Sequence, residues 1–210
     1  DGGMHEARVG CEDRYLDRGL LSYARAKVKI VYVLHSAHIK EPYDNIMAIR
    51  PGYRPVLEAR NQVDAVVFLT ARQRADAEAR YGRADSFRVL PHAVPSPIEE
   101  PGVTRDPNLV IMMARLDRVK QVDHAIEAFA RVAASLPKAR LEIYGKGVEL
   151  SPLKRLVSDL GLTQRVKLMG FTPTPHLVYQ RAALCLLTSR FEGLGLVVQE
   201  AMSHGCPVIA

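Results

Sequence analysis

The second half of the chain alternates strictly between two kinds of segment. Short apolar, β-rich runs at 109–113, 141–144, 165–169 and 184–187 are separated by stretches whose apolar residues recur at helical spacing. Val122, Ala125, Ile126, Phe129 and Val132 share one helical face, and so do Leu153, Leu156, Val157 and Leu160. The second of these helices is expected to start with Ser151 as N-cap and Pro152 at its first position, and to stop at Gly161. Shorter helices are expected over 176–181 and 196–204, the last ended by Gly205 and Pro207. Strand and helix units joined by short connections close as a parallel sheet covered by helices on both faces. Such a sheet holds its ligand at the carboxyl ends of its strands, so the functional residues should lie in the loops that follow them.

The first half repeats the pattern more loosely. Strands are expected over 28–34, 65–69 and 87–90, with helices over 56–62 and 71–80, the latter closed by Gly82, and a short helix over 15–26. Pro91, Pro95, Pro97, Pro101 and Pro107 then fall within seventeen residues. Proline holds itself and its predecessor in extended conformations, so this stretch reads as a linker. The expected fold class is therefore α/β with two Rossmann-like domains: residues 1–95, a linker over 96–107, and residues 108–210.

With 29 Lys and Arg against 23 Asp and Glu, the net charge of +6 favours an anionic partner. The basic residues are scattered, in runs of two at most and without interleaved aromatics, which argues against dedicated nucleic-acid binding. The apolar runs are too short to span a bilayer. Cys11, Cys185 and Cys206 have no metal-ligand spacing, and Cys185 and Cys206 read as small core residues of a reducing compartment.

Three loops after expected strands hold unusual residues. The first, Ala114-Arg115-Leu116-Asp117-Arg118-Val119-Lys120, sets two cations just before a helix. The second runs through Glu192-Gly193-Leu194-Gly195 into the helix that carries Glu200. The third is His35-Ser36-Ala37-His38. A diphosphate needs cations and free backbone N–H groups, and glycines at a helix N-terminus allow it close approach. Each charge pair at 4 Å is worth about 1 kcal/mol in water and about 4 near a protein surface. Arg115 and Lys120 could therefore both bind a diphosphate and stabilise it as a leaving group. Glu192 and Glu200 would accept sugar or ribose hydroxyls. A redox dinucleotide fold would need G-x-G-x-x-G between a strand and a helix, and the sequence has none.

The segment Phe191 to Met202 resembles the E-x7-E signature of retaining glycosyltransferases of family 4, which have the two-domain GT-B fold. Met113-Ala114-Arg115-Leu116 with Lys120 is similar to that family's phosphate-binding Arg and Lys. Residues 188–193 and 203–209 resemble most a bacterial branch that adds glucose or N-acetylglucosamine to wall teichoic acid or serine-rich adhesins. The resemblance covers about residues 28–210.

The resemblance implies a hexosyltransferase, expected to use a UDP-linked donor and a hydroxyl acceptor such as a polyanionic wall polymer or a glycoprotein. Arg115 and Lys120 would hold the donor diphosphate and Glu200 the nucleotide ribose. Glu192, Gly193, Leu194 and Gly195 would bracket the donor sugar and its phosphate, and His38, rather than His35, would stand near the reaction centre. Gly145 would contribute to the donor site, although Gly145-Lys146-Gly147 has lysine where the family usually has an acid. No metal or other cofactor is expected. The implied location is cytoplasmic, compatible with peripheral association at the inner membrane face and with homo-oligomers. The sequence reads as an internal piece cut through both domains and, by itself, inactive. The competing reading is a non-catalytic nucleotide-sugar-binding partner of a glycosyltransferase pair, against which the complete Arg115, Lys120, Glu192 and Glu200 set argues.

Overall fold

The computed structural model describes residues 29–35, 51–94 and 96–210; the helix expected over 15–26, Cys11 and His38 lie outside them. The described residues form two compact units, one up to His92 together with 192–194, the other 93–191 together with 195–210.

In the first unit, β1 (Val31–Leu34), β2 (Ala65–Phe68) and β3 (Phe87–Val89) form a parallel sheet in the order β1-β2-β3. Leu34, Val66, Phe68 and Phe87 pack with Val56 and Leu57 of the short helix α1 (Arg54–Glu58). Pro55 at the start of α1 begins it earlier than the expected 56–62. Arg60 then takes up the Leu57 carbonyl at 3.1 Å as the chain tightens into a 3-10 turn over Arg60–Gln62. Helix α2 (Ala71–Tyr81) starts at Thr70, whose hydroxyl accepts from the Gln73 amide, while the Gln73 side chain accepts from the Leu69 amide at 2.8 Å. That reciprocal pair is a variant of the capping box.

The second unit is a five-stranded parallel sheet in the order β6-β5-β4-β7-β8. Its strands are β4 (Asp106–Met113), β5 (Arg140–Tyr144), β6 (Val166–Gly170), β7 (Ala182–Leu186) and β8 (Val208–Ile209). Its helices are α3 (Val122–Ala133), α4 (Leu150–Asp159), α5 (Pro175–Arg181) and α6 (Leu196–Ser203). Alternation along β4 divides the core. Met112 faces the cluster built with α3 and α4, including Ile126, Phe129, Leu153 and Val157. Leu109, Ile111 and Met113 face the cluster built with α5 and α6, including Val178, Tyr179 and Ala201. The order of strands reverses at β4, which therefore marks a topological switch point.

Three features depart from the sequence reading. Strand β4 begins at Asp106, inside the segment read as linker, so a central strand contains Pro107. Its pairing with β7 shifts register between Asp106 and Val110, and Asp106 accepts from the Asn108 amide at 2.8 Å. The irregularity spares Pro107 a ladder hydrogen bond it cannot donate. The preceding residues are also held: Gln180 bonds both the Ile98 carbonyl and the Glu100 amide, and Arg105 donates to the carbonyls of Ala182 and His204. Finally, α4 begins at Leu150, so Ser151 is its second residue and not its N-cap. The Glu149 amide bonds Leu116 O at 3.0 Å and the Leu150 amide bonds Gly147 O at 3.3 Å, which sets the start of the helix by tertiary contact.

In the second unit a buried carboxylate stands on β5. Glu142 is 9% exposed and accepts from the Tyr144 hydroxyl at 2.6 Å and from Arg181. Burial, followed by the hydrogen bond to Glu142, pushes the Tyr144 phenol up to about 12, so it remains a donor at neutral pH.

Candidate donor-binding cleft

The loops after β4 and β5 are laced together by backbone. The Ala114 amide bonds Tyr144 O at 3.0 Å, and the Leu116 amide bonds Lys146 O at 2.9 Å. The Gly145 amide in turn bonds Gly170 O at 2.8 Å, drawing in the end of β6. This packing explains the two glycines of Gly145-Lys146-Gly147. A Cβ on Gly145 would lie 1.8 Å from the Ala114 carbonyl oxygen, and one on Gly147 would lie 2.2 Å from that of Leu116. Only glycine lets the main chains approach so closely.

Asp117 organises the cationic loop. Its backbone is extended, and its carboxylate accepts from the Lys120 amide at 3.3 Å, capping the 3-10 turn Arg118–Lys120. Its other oxygen lies 3.1 Å from Arg115 Nη2, while the Arg115 side chain stays 79% exposed. The Thr188 hydroxyl stands 2.7 Å from Gln121 O and 3.1 Å from Lys120 O, and the Arg190 amide bonds Val119 O at 2.8 Å. The Lys120 turn is thus fastened to the loop that leaves β7.

Gly195 flanks α6 with φ +67, a left-handed conformation that suits glycine. Glu200 lies in the second turn of the helix, where its carboxylate accepts from the Tyr179 hydroxyl at 2.9 Å. The His204 ring stacks on Tyr179 at 5.8 Å, with Nδ1 2.8 Å from Glu200 O and Nε2 accepting from the Ile98 amide. A tautomer protonated at Nδ1 satisfies both contacts.

A cleft of about 400 Å³ opens at the carboxyl ends of β4, β5 and β6. It brings Arg115, Gly145 and Glu200 together, with Lys146, Phe171 and Tyr179 also on its walls. Lys120, Glu192, Gly193, Leu194 and Gly195 are not on that lining; the last four form the half-buried run into α6. In the first unit, His35 Nδ1 lies 3.1 Å from His92 Nε2, and burial, then the second imidazole, holds the His35 pKa below its usual value. Sequence reasoning passed over Tyr144, Phe171 and Tyr179. Phe171 directly follows a strand and is 68% exposed with Lys146 over its ring at 5.8 Å, so the rule on strand ends would have reached it. Among the described residues, no group of three or more His, Cys, Asp or Glu could hold a metal ion. No helix there is long and apolar enough to cross a membrane.

A parallel α/β unit whose glycine-built cleft at the switch point gathers a guanidinium and a carboxylate defines a Rossmann-like class of protein. Residues 96–210 match the family model described as glycosyl transferases group 1, and the chain belongs to that family. Its two parallel α/β units have the GT-B arrangement of strands and helices. The chain is 33% identical over 180 residues to the poly(glycerol-phosphate) alpha-glucosyltransferase of Bacillus subtilis (strain 168), covering 84% of this chain and 26% of the relative. It is similar to a crystal structure of an S. aureus TarM mutant in complex with fondaparinux, alpha-GlcNAc-glycerol and UDP. That match has TM-score 0.79 and 25% identity, covering 87% of this chain and 36% of the other. The pneumococcal O-GlcNAc transferase GtfA in complex with UDP and GlcNAc has the same fold, with TM-score 0.81 and 23% identity over 91% of this chain and 38% of the other. The chain thus spans between about a quarter and two fifths of these proteins.

Proposed function

We propose that the protein is a retaining hexosyltransferase of family 4, moving glucose or N-acetylglucosamine from a UDP-linked donor to a hydroxyl on a wall polymer or glycoprotein. The observation that carries this reading is the convergence of Arg115, Gly145 and Glu200 on one cleft at the carboxyl edge of a parallel sheet. Arg115 and Lys120 take the diphosphate, and their charges grow in value as the glycosyl bond breaks and the leaving phosphate becomes more negative. Glu200 takes the ribose hydroxyls. Glu192 and the run Gly193-Leu194-Gly195 take the sugar and its adjoining phosphate, and His38 serves the acceptor side. With two cations on the diphosphate, the reading requires no metal. Retention rests on chemistry: two relatives are named as an alpha-glucosyltransferase and an alpha-N-acetylglucosaminyltransferase, and an α-linked sugar nucleotide yields an α product only when configuration is kept. A polyanionic acceptor fits the net charge of +6. The cytoplasmic site of action, peripheral at the inner membrane face, and a homo-oligomer belong to the same proposal.

The test is incubation of the full-length protein with a panel of nucleotide sugars, followed by proton NMR. Slow cleavage of one UDP-sugar to an α-configured sugar supports the reading. Cleavage to the β anomer rejects retention, and binding of a nucleotide without cleavage of any donor favours the non-catalytic partner subunit.

Asp117→Asn separates two roles of one carboxylate. Asparagine caps as well as aspartate, and the exposed ion pair with Arg115 contributes about 0–1 kcal/mol to folding, so the melting temperature should hardly change. Arg115 loses the charge that orients it, and kcat/KM for the donor should fall about three- to tenfold. A tighter, fully active donor complex would show that Asp117 acts only as a repelling charge.

A further inference from the structure

The structure assigns Tyr179 as the positioning residue of the ribose subsite: its hydroxyl holds the Glu200 carboxylate ready for the nucleotide's sugar. The assignment rests on the reading of Glu200 as the ribose acceptor given above.

Three observations meet here. The Tyr179 ring is 1% exposed and packed among Val178, Ala182, Cys185 and Ala201, so its hydroxyl has little freedom to seek another partner. That hydroxyl lies 2.9 Å from Glu200 Oε2, and both residues wall the cleft that also holds Arg115. His204 stacks on the same ring and bonds the Glu200 carbonyl, so the tyrosine and the second turn of α6 are fixed to each other twice.

An ionised carboxylate offers about four acceptor positions on two oxygens. With Oε2 engaged by a buried phenol, Glu200 loses most of the rotamer freedom of a glutamate before any ligand arrives, leaving Oε1 for the ribose. Pre-ordering of this kind raises affinity by removing the entropy of ordering at binding. Burial, followed by the Glu200 charge, raises the Tyr179 pKa, so the phenol stays protonated and donates without competing for ribose protons. The ring would read from sequence as an apolar face of a short helix, yet its one polar atom points the chemistry of the neighbouring helix.

The experiment measures binding of UDP and of 2′,3′-dideoxy-UDP by calorimetry to wild type, Tyr179→Phe and Glu200→Gln. Phenylalanine keeps the ring and its packing and removes only the hydroxyl. The expected result is a roughly tenfold loss of UDP affinity in Tyr179→Phe, the size of a lost hydrogen bond to a charged group, with dideoxy-UDP binding unchanged. An equal loss for both nucleotides would make Tyr179 merely structural, and no loss for either would deny it any role; both overturn the assignment. If Glu200→Gln leaves the preference for UDP over the dideoxy form intact, the ribose reading of Glu200 itself falls. If Glu200→Gln removes that preference while Tyr179→Phe keeps it, the ribose reading stands and only the role of Tyr179 is rejected.

Discussion

Arg115→Ala should reduce kcat/KM for the sugar donor by about 10²–10³-fold while leaving the melting temperature of the protein unchanged. The magnitude is that of deleting one preorganised group that stabilises charge developing in a transition state. The unchanged stability follows from the structure: the Arg115 side chain is 79% exposed, and its half-buried partner Asp117 keeps the Lys120 amide as a hydrogen-bond donor. Nothing is left buried and unpaired when the guanidinium goes, so the loss of activity would be a loss of chemistry. Arg115→Lys should recover only part of it, because an ammonium cannot grip two phosphate oxygens with a planar fork. Steady-state donor consumption beside a thermal melt decides the matter. An Arg115→Ala variant within threefold of wild type would remove Arg115 from the diphosphate site.

Gly147→Ala should be strongly destabilising to the second unit. The new Cβ would lie 2.2 Å from Leu116 O and 2.6 Å from Leu116 C, both backbone atoms that no side-chain rotation can move. Forced overpacking of this kind costs about 3 kcal/mol. Gly161→Ala is the comparison: Gly161 has φ +67 but no atom within 4 Å of an added Cβ, so only left-handed strain of about 1 kcal/mol applies. Urea denaturation of both variants measures the difference. Equal losses would show that the Arg115 loop yields to the methyl group and that its backbone packing is not rigid.

How much of this was legible in the sequence depended on whether a residue's role was local. The βα alternation, the two cationic positions and the glycine turn before α6 are local patterns, and Arg115, Gly145 and Glu200 do meet in one cleft. The start of α4 was misread because Ser151-Pro152 is a good local signal, while Leu116 and Gly147 set the first turn from outside the helix. Strand β4 was read short because Pro107 argues against a central strand, and the register shift that accommodates it involves β7, more than seventy residues away. Tyr179 was passed over because its ring belongs to the core and its hydroxyl to the cleft; periodicity sees only the ring. Phe171 was a different kind of miss, since its place after a strand was readable and went unused.

The lacing of Ala114, Leu116, Gly145 and Gly147 has a consequence for how proteins with this cleft can diverge. Where those loops meet, main chain packs on main chain, so that part of the cleft offers few side chains through which mutation could reshape it. The exposed positions at its rim, such as Lys146 and Phe171, carry no such constraint. On the proposed reading of the cleft, inheritance can experiment with the preferred base or sugar at the rim while the diphosphate anchorage is passed on intact, and donor choice becomes the trait that drifts.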